Sequence, residues 1–373
     1  TIMLKPLLIL ATIVCSSVLL YSTLVADEDT AAQRQTIYTS THVSFTLSDQ
    51  WLRFFDSFEF AVPVIIIDND LLGSILVGGK WDNSSRIVVA VEERYRNATI
   101  THSKRELEVV YYSKTRPDRD YWLFKRDNDT RTMLPFDLSS SSLVFWPTDV
   151  HTFLNDWNFS RFMECEVQLK RNDTGTRSIP LSFLSEMAKL RDFIKERKAR
   201  LTLAGGSLLG WYRECSIIPH TTDIDFFIRA EEYSPAIKAD LDDKKSPYKL
   251  FRIYGTPTDS YELSLNVKKA KAVNIDLFFL YTNKNESFVG GLAWYTRKKY
   301  KWSYPRITEL CTADLLGHLF YVPCNTGDVL DMEYGDWRKD SASANFVWYK
   351  SHSNVKENGQ FSKEEMKTMR AFG

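Results

Sequence analysis

Asp223 and Asp225 are the residues whose type and spacing point most directly to chemistry, because they interrupt an apolar strand, Thr221-Thr-Asp-Ile-Asp-Phe-Phe-Ile228. Alternate residues of a strand share a face, so both carboxylates project one way while Ile224, Phe226 and Ile228 project the other. Residues two apart lie roughly 6 to 7 Å from one another, a gap that two carboxylates can close around one or two cations. Like charges beside an apolar sheet are costly unless a cation or hydrogen bonds offset them; a salt-bridged pair is the plainer alternative.

A third carboxylate, Asp276, sits inside Ala272-Val-Asn-Ile-Asp-Leu-Phe-Phe-Leu-Tyr281, a run of branched and aromatic residues that reads as another strand. If the two strands are neighbours, three acids converge on a metal-sized space, and Asp276 can hold a cation or take a proton from a hydroxyl. Its alternative is a pairing with a nearby Lys or Arg. The anion half of such a site is offered by Gly205-Gly206-Ser207, which follows the apolar run Leu201-Thr-Leu-Ala204. Two glycines allow close backbone approach, Ser207 can cap a following helix, and a helix start presents N–H groups to phosphate. Arg213 on that helix and His220 after it are further candidates for phosphate contact, each with a plain alternative in a local ion pair or loop contact.

The Asp-x-Asp spacing alone discriminates little, since it also occurs at Asp68/Asp70, Asp118/Asp120, Asp127/Asp129 and Asp240/Asp242. The last three lie in charged or sequon-bearing stretches and read as solvated loops. Asp68/Asp70 closes the apolar run Val62–Ile67 and is a genuine competitor. It would suit a metal-dependent glycosyltransferase that consumes a nucleotide-sugar.

The order of Gly-Gly-Ser turn, helix, Asp-x-Asp strand and third acidic strand resembles the nucleotidyltransferase fold. More closely, Gly205 to Asp225 and Asn274-Ile-Asp-Leu-Phe-Phe-Leu-Tyr281 resemble the LicD-type phosphotransferases, and within them the fukutin group. Cys311 with Val322-Pro-Cys324, Glu333-Tyr-Gly-Asp-Trp337 and Trp348 to Val355 are similar as well. The resemblance covers roughly Cys165 to the C-terminus. It implies metal-dependent transfer of an alditol phosphate, such as ribitol 5-phosphate, from a CDP-linked donor to a hydroxyl of a protein O-mannosyl glycan. Mg²⁺ or Mn²⁺ would be held by Asp223, Asp225 and Asp276, and the phosphates by Gly205, Gly206, Ser207, Arg213 and His220. Where this group shows two residues between Tyr-Gly and Trp, Tyr334-Gly-Asp-Trp337 has one.

The elements that must position these residues divide the chain in two. The fold class expected is α/β (α+β), with a nucleotidyltransferase-like domain over 161–373 and a mixed α/β stem over 27–160. In the stem, Phe60–Ile67, Arg86–Glu92, Leu107–Tyr112 and Ser142–Trp146 read as strands, with a crossover from Trp146-Pro147 to Glu164. Apolar residues at helical spacing predict a helix over Leu181–Leu201, its basic end complementing the dipole as it feeds the Leu201 strand. Lys298-Lys-Tyr-Lys-Trp302 is basic and aromatic enough to meet a nucleotide, although such clusters are commonly just solvated.

Forty-eight Lys plus Arg balance 48 Asp plus Glu, so no basic excess points to nucleic acid. The apolar run Leu7–Ala26, flanked by Lys5 and by Asp27-Glu-Asp29, is long enough for a bilayer core of about 30 Å. It reads as an uncleaved signal-anchor with a cytoplasmic tail at 1–6; a cleaved signal peptide is the alternative, which bulky Leu24 disfavours. Sequons at Asn83, Asn97, Asn128, Asn158, Asn172 and Asn285 argue for a glycosylated lumenal domain. A type II Golgi membrane protein is therefore expected. Cys15 falls in the apolar run, leaving Cys165, Cys215, Cys311 and Cys324, of which Cys311–Cys324 is the first choice for a local disulfide. Zinc is the alternative implied by the resemblance, although no Cys-x-x-Cys spacing occurs. Beyond enzymes, a non-catalytic scaffold for other glycosylation enzymes, or a homo-oligomer built through the stem, fits the same layout.

Overall fold

Pro63 lacks an amide hydrogen, so the run Phe60–Ile67 shortens to a strand at Val64–Ile66 (β1), buried along its whole length. The computed structural model describes residues 49–371 apart from 57, 59, 80–85, 101–105, 171–176 and 341–346. Strand β1 lies in a seven-stranded sheet with β2 (Arg86–Glu92), β3 (Glu106–Ser113), β4 (Trp122–Arg126), β5 (Asp129–Met133), β6 (Leu138–Ser141) and β7 (Val144–Pro147). The order is β5-β4-β3-β2-β1-β7-β6, with β2 parallel to β3, β1 parallel to β7, and the remaining pairs antiparallel. Ser142 adopts a positive φ in the turn before β7, so that strand starts two residues later than the apolar pattern suggests. The crossover segment folds as the helix Val150–Asn158, capped by Asp149, whose side chain accepts from the Thr152 amide.

The second sheet carries the acidic strands. Its order is β15 (Leu310–Leu315), β16 (His318–Pro323), β8 (Thr202–Leu203), β9 (Asp223–Arg229), β12 (Asn274–Thr282), β13 (Ser287–Ala293), β14 (Lys298–Tyr304) and β17 (Val355–Gln360). A long hairpin, β10 (Tyr248–Thr256) and β11 (Asp259–Val267), joins it through β11 against β12. The helix expected over Leu181–Leu201 occupies Leu184–Glu196 after a single 3₁₀ turn, and Lys198 at φ 63° ends it before β8. Ile224, Phe226 and Ile228 of β9 and Ile275, Leu277 and Phe279 of β12 are wholly buried, the payload that seats both strands.

The two sheets have separate apolar cores yet belong to one compact unit, Leu47–Gly373. Thr132 Oγ1 donates to Thr312 Oγ1 at 2.7 Å across the junction. Asp120 departs from its solvated-loop expectation: its carboxylate accepts from buried Arg191 at 2.9 Å and from the Leu319 amide at 3.0 Å, and lies 2.8 Å from His318 Nδ1. It is a tie between the lobes. Among the described residues no helix is long and apolar enough to cross a membrane; the run Leu7–Ala26 and Cys15 lie outside them.

Candidate active site

Strands β9 and β12 run parallel with Asp223 opposite Asn274 and Asp225 opposite Asp276. Neighbouring strands lie about 4.8 Å apart, so this register alone sets Asp276 level with Asp225 on one face. Asp223 shares that face through the two-residue period. One oxygen from each of the three carboxylates lies within 4.8 Å of the others, and among the described residues no other trio of acid, histidine or cysteine side chains converges in this way. The row continues outward, since Asp276 faces Ser264 on β11 and Ser264 faces Arg252 on β10. Arg252 donates to Asp276 Oδ1 at 2.8 Å and to Ser264 Oγ at 2.6 Å, and pairs with Glu262 at 2.8 Å. Asp276 therefore has both of its expected settings, an arginine partner on one side and the acid cluster on the other.

The glycine turn closes the inner end of the row. Gly205 opens the helix Gly205–Glu214 with φ +47°, and a Cβ placed there would come 2.8 Å from Asp225 Oδ2. Only glycine leaves that carboxylate its place. The Gly206 amide donates to Asp225 Oδ2 at 3.3 Å. Ser207 differs from its expected role: Ala204 is the N-cap, and the Ser207 hydroxyl accepts from the Asp225 amide at 3.0 Å. It ties the helix to the acidic strand instead of capping.

Burial and unbalanced charge set the electrostatics. Burial first, then the like charge of Asp276, pushes the Asp223 carboxyl up. Burial, then Asp223, Asp276 and Glu333, drives Asp225 well above the usual carboxylate range. Burial raises Glu262 to about 7, with Arg252 opposing and Asp276 adding to it. Glu333, only 3% exposed on the helix Thr326–Tyr334, is raised by burial to about 8 and leaves Oε2 without a hydrogen-bond partner. It lies 3.4 Å from His352 Nδ1, the nitrogen that accepts from Trp302 Nε1 at 3.1 Å; burial holds that imidazole down to about 4 and hence neutral at pH 7. A cluster of acids that resist ionising together is a donor set suited to hard divalent cations, which would remove the repulsion. The fit to Mg²⁺ or Mn²⁺ rests on this all-oxygen trio.

These groups line a cleft of about 1810 Å³ that also admits Gly205, Gly206 and His220. His220 is exposed at its edge. Arg213 is committed elsewhere: it is buried, pairs with Glu214 at 2.6 Å, and donates to the carbonyls of Trp337 and Lys339 at 3.3 and 3.2 Å. Of its two readings these contacts show the local ion pair, which holds the segment around Trp337 at the border of the cleft. Arg252, Glu262 and Glu333 had been assigned no role. Arg252 and Glu262 carry a weaker form of the signal that singled out Asp276, a charge among apolar residues, in strands that also hold Lys249 and Asp259.

Away from the cleft, Cys165 pairs with Cys215 and Cys311 with Cys324, with Cα atoms 5.5 and 5.0 Å apart. All four cysteines are consumed, so the zinc alternative loses its thiolates. Asp68 is also committed: its carboxylate accepts from the Leu71 amide at 2.9 Å, capping the helix Asn69–Leu76, and from the Val88 amide at 3.0 Å. The sequon residues Asn97, Asn128, Asn158 and Asn285 are exposed, while Asn83 and Asn172 lie outside the described residues.

Comparison with known proteins agrees with this division. The family described as "W02B3.4-like, N-terminal domain" matches residues 50–164, and "LicD/FKTN/FKRP, nucleotidyltransferase domain" matches residues 198–325, which contain all three clustered acids. The Caenorhabditis elegans proteins named "Uncharacterized protein W02B3.4" and "Uncharacterized protein T07A5.1" are each 32% identical to this chain. The matches cover 84% of the chain and 83% of the first relative, and 86% and 87% for the second. "Ribitol-5-phosphate transferase FKTN" of Mus musculus is 31% identical over 57% of this chain and 47% of its own length. The chain belongs to the fukutin/LicD-type family.

Proposed function

We propose that this protein transfers an alditol phosphate, ribitol 5-phosphate in the first instance, from a CDP-linked donor to a hydroxyl of a protein O-glycan. Membership of the family supports the coarser reading, a transferase that modifies glycans. The observation that carries the finer one is the convergence of Asp223, Asp225 and Asp276 beside the Gly205–Gly206 helix start in a single cleft.

In this reading Asp223, Asp225 and Asp276 would hold Mg²⁺ or Mn²⁺, which would supply positive charge to offset that of the donor's phosphates. The helix start at Gly205 and Gly206 faces phosphate oxygens with backbone N–H groups. The acceptor oxygen bonds to the phosphorus bearing the alditol, the bond from that phosphorus to the bridging oxygen breaks, and CMP leaves. The hydroxyl proton passes to the Asp276 carboxylate, whose Oδ1 is fixed by Arg252. Two disulfides and exposed sequons support an oxidising, lumenal compartment. A Golgi site, with Leu7–Ala26 as a type II anchor and glycans on the sequons, completes the reading.

The test is to incubate the full chain with CDP-ribitol, other CDP-alditols, CDP-choline and nucleotide-sugars, following CMP by mass spectrometry. Acceptor-dependent CMP release that chelation removes and Mg²⁺ or Mn²⁺ restores is the expected result. Release that survives the Asp223→Asn, Asp225→Asn double substitution would overturn the assignment.

A further inference from the structure

Two residues along the strands from the charged row, the same face of the sheet turns aromatic. Tyr254 on β10 faces Glu262 on β11, which faces Phe278 on β12, which faces Phe227 on β9. Tyr254 is linked to the carboxylates through Arg252, whose guanidinium holds Asp276 and lies 5.2 Å from the Tyr254 ring centroid. The strip then leaves the sheet. Trp294, in the turn between β13 and β14, stacks on Tyr254 with centroids 5.7 Å apart and planes at 20°, and the next residue, Tyr295, is 91% exposed. A second stack lines the same cleft, with Trp348 against Trp302 at 5.3 Å and 20° and Tyr300 edge-on to Trp348 at 5.5 Å. Trp348 is 38% exposed. Gly291 makes this stack possible, since a Cβ there would come 2.8 Å from the Trp302 indole and 3.3 Å from that of Trp348.

Three properties of the strip identify its ligand. First, the cleft of about 1810 Å³ exceeds the roughly 300 to 1,000 Å³ that a ligand of donor size fills, so donor and acceptor fit together. Second, strand β14 carries little free charge, while the Lys350 ammonium at the cleft lies 5.5 Å over the Tyr349 ring. Lys298 and Lys299 pair with Glu357 and Asp259 at 2.8 Å each, and Lys301 pairs with Glu286. The basic segment is thereby neutralised and offers aromatic faces instead of phosphate-binding ammonium groups. Third, two separate stacks present more ring faces than one pyrimidine covers. Successive sugar rings, with an apolar C–H face and polar edges, match such a surface.

We propose that this aromatic strip is the acceptor subsite and holds uncharged pyranose rings of the glycan, so that one hydroxyl reaches Asp276. The role as acceptor subsite rests on the transfer reading above, whereas the sugar binding does not. Two measurements on the full chain separate them. In saturation-transfer NMR with a neutral mannose-containing oligosaccharide, the wild type transfers magnetisation to sugar C–H protons, and Tyr295→Ala, Trp348→Ala abolishes it. In the CMP-release assay the same double variant raises the acceptor KM about tenfold, while the donor KM stays within about twofold. A melting temperature like that of the wild type verifies the fold, and Tyr295→Ala alone, at a fully exposed position, serves if the double variant misfolds.

Absence of saturation transfer in the wild type, or its persistence in the variants, overturns the subsite. A rise in donor KM equal to that of the acceptor overturns it too, assigning the strip to the cytosine base. Sugar binding lost in the variants without any CMP release in the wild type upholds the sugar site and overturns the transfer reading.

Discussion

Asp68 and Asp225 have the same local setting, an Asp-x-Asp pair at an apolar strand near a helix start, and opposite fates. Each borders a cavity. That of the N-terminal lobe, about 400 Å³, gives three of its four acids close partners: Asp68 two backbone amides, Glu108 Arg86 and Arg126, and Asp129 Arg131, while Asp70 is exposed. The cleft of the second lobe sets Asp223, Asp225 and Asp276 against each other with Arg252 beside them, and adds the buried carboxyls of Glu262 and Glu333. A carboxylate satisfied by amides stabilises its fold, whereas carboxylates packed together destabilise it until a cation arrives. Stability serves the first lobe, and stored repulsion the second.

Exchanging charges between the two settings should break this contrast most sharply. Asp225→Asn is expected to lower acceptor-dependent CMP release on the order of 1,000-fold while raising the melting temperature of the metal-free protein. A rate near that of the wild type, or a loss of stability, would contradict the comparison. Gly205→Ala should displace the Asp225 carboxylate and reduce the rate about tenfold to a hundredfold, with circular dichroism unchanged.

Asp68→Ala inverts the pattern. It should cost about 1 kcal/mol or somewhat more in chemical denaturation, through loss of a helix cap, and leave CMP release at its normal rate. Loss of activity without loss of stability would instead revive the Asp68 site.

The smallest effect sharpens the comparison through pH. Glu333 binds its proton more tightly folded, to about 8, than unfolded, at 4.5, so the stability it contributes is present below 4.5 and fades as pH rises towards 8. The metal-free melting temperature should therefore decline across that window, and Glu333→Gln should flatten the slope. An unchanged slope in that variant would assign the decline to other groups.

The acidic strands and the glycine turn were legible because an ionisable residue inside an apolar strand is a local anomaly. Asp223, Asp225 and Asp276 stood out for that reason. Four of the seven strands of the N-terminal lobe were legible too, with errors at Pro63 and Ser142, where backbone geometry rather than hydropathy ends a strand; β4, β5 and β6 were missed because their charged and hydroxyl residues hide the apolar alternation. Arg213 left two readings open in the sequence because its charge was visible and its distant partners were not. Glu214, beside it in sequence, and the carbonyls of Trp337 and Lys339, far from it, engage its Nε and both of its terminal nitrogens.

What the sequence determined by itself is which side chains could not be ordinary core: two-residue and helical periodicities are local, and they assign each acid to a face. Tertiary structure decided which faces meet. The parallel register of β9 with β12 put Asp276 level with Asp225, and the hairpin β10–β11 extended the row to Arg252. Register between segments far apart in the chain depends on packing of whole sheets, and no short stretch of residues encodes it. The same packing sent Asp68 to a helix cap and Asp225 to a crowded acid cluster, so like motifs came to hold unlike chemistry.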